Sequence, residues 1–279
     1  METPSILDKE VMQEQRAVNE RFIDLVGAKR VWAIAAVQGR HEALTALHAQ
    51  ILSAFEPGDR IVYLGGIIGN GDLRATLTEI FRFRRSILAK PPLMMPQDIV
   101  YLRGQQEEMW NKLQQIHFAP NPKELLEWMF ERGVANTLEA YGQSSDDALV
   151  AARDGMVELS RWTGRLKAVV QATPGHADWY RGLRRYAMSG EDGCLFVHAG
   201  LNPDQPLTEQ KDAFWWETAR FDAASAGFEN FKRIVRGYDP ASIGLSEKGI
   251  CLTLDSRPDR PLQTCCLSSD GRILGQMSA

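Results

Sequence analysis

At 279 residues, 44% of them hydrophobic and 24% charged, the chain is long enough to bury a substantial core and has the composition of an ordinary globular protein. A formal net charge of -4 argues against a nucleic-acid partner or an anionic membrane drawn to the molecule as a whole. No apolar run approaches the roughly 20 residues that span a bilayer, and METPSILDKEVMQEQRAVNE at the start lacks the pattern of a secretory signal, so a cytoplasmic location is the default expectation.

Residues 8–28 have helical spacing with abundant Glu, Gln and Arg and predict an amphipathic lead-in helix. A strand over Arg30 to Val37 then leads into a helix from Arg40 to Phe55. EPGDR turns the chain into a short buried strand, Ile61 to Gly66. A helix from Asp72 to Leu88 stops at KPPLMMPQD, and Ile99 to Gly104 is a third strand closing on glycine. Three such strand–turn–helix units predict an α/β core with a largely parallel sheet, in which function gathers at the C-terminal strand ends. Residues 105–190 are almost wholly helical in pattern, with breaks at APNP, around Gly142 and at ATPG, and read as a helical insertion or cap. Strands resume at Cys194 to Gly200, Phe231 to Gly237 and Gly249 to Ser256, and Pro261 to Met277 reads as a hairpin turning at Ser269-Asp270-Gly271. The four cysteines (194, 251, 265 and 266) lack zinc-like spacing and read as reduced, buried thiols.

Five strand-end turns follow in order: AAVQGRHE, YLGGIIGNGD, YLRGQQEEM, FVHAGLNP and IVRGYDP. Their order and spacing resemble the calcineurin-like metallophosphoesterases, in particular the bacterial serine/threonine protein phosphatases. That family reads G-D-x-H-G, G-D-x-x-D-R-G, L-R-G-N-H-E, V-H-A-G and a G-H-T-P-like turn. The resemblance runs from Val31 to the C-terminus and includes MFERGVANTLEAYG, Met129 to Gly142. It implies a single domain over 1–279, a β-sheet sandwich flanked by helices, with 105–190 as a helical insertion.

In that family two divalent metals clamp the phosphate and activate a water, held by carboxylate, amide and imidazole ligands at strand ends. Carried over, the first motif's Asp and His fall on Ala36 and Gln38, and the second motif's bridging Asp falls on Gly66. Its later Asp and Arg fall on Gly69 and Asn70. The third motif's Asn ligand falls on Gln105 and its catalytic His on Gln106, while Leu102, Arg103, Gly104 and Glu107 match. The fourth motif is intact, with His198 as the ligand, and the fifth motif's His falls on Tyr238. Of six expected ligand positions only His198 keeps a usable group, while the turn glycines at 39, 65, 104, 200 and 237 remain.

The resemblance with an emptied site implies a catalytically degenerate metallophosphoesterase-like protein, a pseudophosphatase acting by ligand or protein binding. No metal or other cofactor is then expected, and a phosphorylated small molecule or protein is the partner class implied. Two alternatives stand beside it. One is an active phosphoric ester hydrolase with a non-standard site, holding a divalent metal such as Mn or Fe; the other is an interaction module working through residues 105–190. Arg103, His198 and Arg236 are the candidate anion contacts, against the plainer roles of salt bridge, structural imidazole and solvated cation. His41, Glu42 and Asp72 lie near the emptied turns, but adjacent residues on a helix point about 100° apart and make poor joint ligands. Tyr238 and the cluster Phe214, Trp215, Trp216 could line a cleft, with core packing expected for at least two of the three cluster residues. The run RFRRSILAK, Arg82 to Lys90, reads first as a solvated helix end. His48, His117 and His176 carry no assigned function.

Overall fold

The computed structural model describes residues 22–91, 94–241, 244–254 and 257–279. Sheet one is built from β2 (Arg30–Ile34), β3 (Asp59–Tyr63), β4 (Ile99–Tyr101), β10 (Gln263–Ser268) and β11 (Ile273–Ser278), in the order β11-β10-β2-β3-β4. β2, β3 and β4 run parallel, joined by right-sized helical crossovers α1 (His41–Ala54) and α2 (Leu73–Leu88). β10 and β11 are antiparallel additions, so the sheet is mixed rather than largely parallel. The hairpin turn falls between Ser268 and Ile273, where the sequence predicts it.

Sheet two contains β1 (Phe22–Asp24), β5 (Tyr186–Met188), β6 (Cys194–Val197), β7 (Arg233–Arg236), β8 (Ser246–Lys248) and β9 (Cys251–Thr253), in the order β1-β5-β6-β7-β9-β8. Strand alternation divides its side chains between two faces. Phe196, Val235 and Leu252 join the main core with Val31, Ile34 and Val62 of sheet one. Leu195, Val197, Ile234 and Cys251 pack on the other face against Phe214, Phe221 and Phe231. The result is two sheets sharing one core, flanked by helices.

The helical stretch comprises α3 (Gln105–Leu113), α4 (Pro122–Glu131), α5 (Val134–Ala140), α6 (Ser145–Asp154), α7 (Met156–Ala172) and α8 (His176–Arg181). It ends earlier than the sequence suggests, because Tyr186–Met188 is a strand pairing with β1 and β6. The lead-in helix is also corrected where it can be seen: Phe22–Asp24 is extended and parallel to β5, and residues 8–21 lie outside the described residues. Among the described residues no helix is long and apolar enough to cross a membrane. All four cysteines are free and buried.

Candidate functional site

The five turns meet at the C-terminal ends of β2, β3, β4, β6 and β7, and hydrogen bonds link them into one body. The first two turns are zipped together by Gln38 N–H to the Gly66 carbonyl (2.7 Å), Gly39 N–H to Ile67 (2.9 Å) and Gly71 N–H to Gln38 (3.2 Å). Gly39 has φ +77°, and a Cβ there would lie 2.6 Å from the Gly71 backbone, so only glycine permits this approach. Ala36 N–H donates to the Gly237 carbonyl at 2.9 Å, and the N–H groups of Gly237 and Tyr238 both donate to the His198 carbonyl at 3.0 Å. Arg40 fastens the first turn from outside, donating to the carbonyls of Ala36, Val37 and Arg260.

Glu107 joins the third turn to the second. Its carboxylate, 1% exposed, accepts from the backbone N–H groups of Gly66 (3.0 Å), Ile67 (2.7 Å), Ile68 (3.0 Å) and Gly104 (2.8 Å). Burial pushes its pKa up, while the backbone donors pull the other way by holding the ionised form. The matching Glu of the third motif is thus an anchor for two loops.

These turns enclose a cleft of about 410 Å³. Ala36, Gln38, Gly66, Gly69, Asn70, Gln105, Gln106, His198 and Tyr238 all line it, so every position emptied in the sequence comes to one place. Met109, Arg132 and Trp216 complete the wall. Arg132 arrives from the C-terminal end of α4, its carbonyl accepting from Gln106 Nε2 at 2.7 Å and its guanidinium stacked on Trp128 at 4.3 Å from the ring centroid. Within the same junction, Asn136 Nδ2 donates to the Asn70 carbonyl at 3.3 Å.

His198 is 1% exposed. Its Nδ1 lies 2.8 Å from the Leu64 carbonyl, an acceptor, so Nδ1 carries the proton and Nε2 the lone pair. Burial pushes its pKa down to about 4, against the smaller opposing effect of the carbonyl, and keeps the ring neutral at pH 7. The Tyr238 ring stacks on it with centroids 5.2 Å apart.

The donor set does not fit the pair of divalent cations that the family resemblance implies. One neutral imidazole and several primary amides cannot supply the anionic charge such a pair needs. A carboxylate at the bridging position is also disfavoured: a Cβ at Gly66 would lie 3.0 Å from both the Ala36 Cβ and His198 Cε1, at φ +60°. Among the described residues no three His, Cys, Asp or Glu side chains gather to hold a metal.

The other candidates lie elsewhere. Arg236 is 4% exposed and spends its guanidinium on Thr253 Oγ1 (2.7 Å), the Thr218 carbonyl (2.9 Å) and Asp239 (2.6 Å), over the Phe221 ring. Arg103 pairs with Glu108 at 3.1 Å and faces a separate cavity beside Lys167 and Arg181. The structure therefore does not bring Arg103 and Arg236 into the cleft with His198. Asp72 is the N-cap of α2, accepting from Ala75 N–H at 2.9 Å. His41 and Glu42 are not among the cleft-lining residues. Phe214 and Trp215 are core, and Trp216 reaches the cleft. His48 is wedged between Glu79 and Tyr63, His117 accompanies Thr163, and His176 meets Tyr141.

Sequence reasoning missed Arg132. Its only signal is its place in MFERG, inside the stretch resembling the family, since folding alone carries α4 over the turns.

No protein-family model matches the chain, and no curated protein matches it. Among solved structures, the chain is similar to one described as a "putative diadenosine tetraphosphatase", at 17% identity and TM-score 0.54, covering 93% of this chain and 98% of that one. It is also similar to a protein serine/threonine phosphatase from Saccharomyces cerevisiae with similarity to human phosphatase PP5, at 11% identity and TM-score 0.53, covering 92% of this chain and 80% of that one. With its two mixed sheets and flanking helices, the protein shares the fold of these two structures, a metallophosphoesterase-like fold.

Proposed function

We propose that this protein is a pseudophosphatase: it holds a phosphate-bearing ligand in the cleft at the strand ends and does not hydrolyse it by metal catalysis. One observation carries the reading. At the positions where the related motifs place metal ligands and a catalytic imidazole, the strand ends bring to the cleft Ala36, Gln38, Gly66, Gln105, Gln106, Tyr238 and a neutral His198.

Binding remains chemically reasonable without the metals. The amides of Gln38, Asn70, Gln105 and Gln106 can donate to phosphate oxygens, and Arg132 adds a guanidinium at the rim. Trp216 offers an apolar wall for the rest of the ligand. Hydrolysis fares worse, because a neutral Gln106 has no proton to give the leaving oxygen and, among the described residues, no carboxylate lines the cleft to hold a metal that would activate water.

Metal analysis of purified protein by inductively coupled plasma, together with a phosphatase assay supplemented with manganese, tests the reading. Substoichiometric metal and turnover no faster than buffer are expected. Near-stoichiometric metal with robust turnover would overturn it in favour of an active hydrolase with a non-standard site.

A further inference from the structure

A second cavity, about 790 Å³, lies away from the cleft, between the edge strand β4, the C-terminal half of α2 and the start of α8. Its size falls within the range of small-molecule sites, about 300–1,000 Å³. It shares no lining residue with the cleft.

Its charge is distinctive. Arg84 and Arg85, from the basic run near the end of α2, both line it. Their neighbours in that run are occupied, Arg82 by Glu79 and Lys90 by the Leu52 carbonyl, whereas among the described residues neither Arg84 nor Arg85 has an ion pair. The one acid in the lining, Asp178, is tied to Arg181.

Two buried polar atoms belong to the same lining. Tyr101 is 8% exposed and Trp179 is 5% exposed, and neither the Tyr101 Oη nor the Trp179 Nε1 has a hydrogen-bond partner among the described residues. Orphaned indole N–H groups recur at Trp110, Trp162 and Trp215, but at Trp179 one coincides with a cavity, an orphaned phenol and two arginines without an ion pair. Each buried donor without an acceptor costs about 1–3 kcal/mol. An oxyanion is acceptor-only and satisfies phenol, indole and guanidinium alike. The rings of Phe81 and Trp179 and the side chain of Ile99 supply walls for a planar apolar body.

We propose that this cavity binds a small aromatic oxyanion, its charged group at Arg84 and Arg85 with Tyr101 and Trp179 donating, and its ring against Phe81 and Trp179. This is a site separate from the strand-end cleft, and it stands whether or not the cleft binds phosphate.

The probe is phenylphosphonate, which no phosphoesterase can hydrolyse, titrated into the full chain by calorimetry and tryptophan fluorescence. A saturable component should weaken by about tenfold or more in Arg84→Gln/Arg85→Gln, the loss expected for charge-assisted contacts. Tyr101→Phe, which keeps the ring, and Trp179→Phe, which keeps an aromatic wall but no N–H, should weaken it by about threefold or more each. The component should persist in Arg132→Gln, which alters the cleft and its contact with Trp128 and touches no residue lining this cavity. Absence of binding up to about 10 mM, an affinity weaker than about -3 kcal/mol, overturns the inference. So does binding that only Arg132→Gln abolishes, an outcome that leaves the reading of the cleft intact. Equal affinity for inorganic phosphate at the arginine-dependent component overturns the aromatic body.

Discussion

The rings of His198 and Tyr238 lie nearly parallel, with centroids 5.2 Å apart and planes 10° from each other. An offset stack of this kind contributes about 0.5–1.5 kcal/mol beyond burial. It also seals the imidazole from water at the position where the related motif supplies a second histidine. Tyr238→Ala should therefore let water reach His198 and raise its pKa from about 4 toward 6.5. Imidazole proton shifts followed by NMR against pH measure this directly, and an unchanged titration would show that Tyr238 is not the seal.

The same depressed pKa makes stability depend on pH. His198 titrates near 4 when folded and near 6.5 when unfolded, so the unfolded chain binds the extra proton between those values. The stabilisation is complete above about pH 6.5 and lost as pH falls toward about 4, amounting to about 3 kcal/mol in all. Burial holds His48 and His176 low as well, and their contributions have the same sign. Denaturant midpoints measured from pH 7 to pH 4 should fall, and His198→Gln should flatten part of the slope.

Rebuilding the missing carboxylates should fail structurally before it fails chemically. Any side chain at Gly66 takes φ +60° and meets Ala36 and His198 at 3.0 Å. Ala36→Asp/Gly66→Asp should lose about 2–4 kcal/mol through overpacking and buried charge. Unfolding free energy, compared with and without manganese, checks this. A variant as stable as the parent that binds manganese stoichiometrically would mean the site is merely vacant of ligands, not closed.

Glu107 supports the cleft through four backbone N–H groups. Glu107→Gln retains one acceptor oxygen and turns an amide donor toward other donors, which should cost about 2–4 kcal/mol. Hydrogen exchange at Gly66, Ile67 and Ile68 should accelerate more than exchange in α7, on the far side of the insertion. Uniform acceleration would indicate global loss of stability instead of loosening of the turns.

Much of the cleft was legible because glycines punctuate the strand ends. Ala36, Gln38, Gly66, Gln105, Gln106, His198 and Tyr238 group together once the motifs of the resembled family are carried onto the turns, and they line one wall system. The resemblance puts Arg103 beside a phosphate and Arg236 stands next to the turn glycine Gly237, but Arg103 reaches Glu108 on α3 and Arg236 reaches Thr253 on β9. Those are partners that only the folded chain reveals. β1 carries no strand signal in the sequence because three residues show no alternation, and its partner β5 lies across the whole helical stretch. β8 has no sequence signature, because Ser246, Glu247 and Lys248 are all exposed and carry no apolar period. β1 and β8 are the outer strands of sheet two, where pairing on one side alone defines the strand.

The pairing of Ile34 with Thr264 has a consequence for synthesis on the ribosome. β2 sits at the centre of sheet one, yet one of its two neighbours, β10, is made only after the helical stretch and every strand of sheet two. Until β10 emerges, β2 exposes an unpaired apolar edge while the helices and sheet two are already translated. Long-range closure of this kind slows folding and leaves the nascent chain open to edge-to-edge aggregation. Yield of the native protein should thus depend on chaperone capacity during translation more than on its final stability.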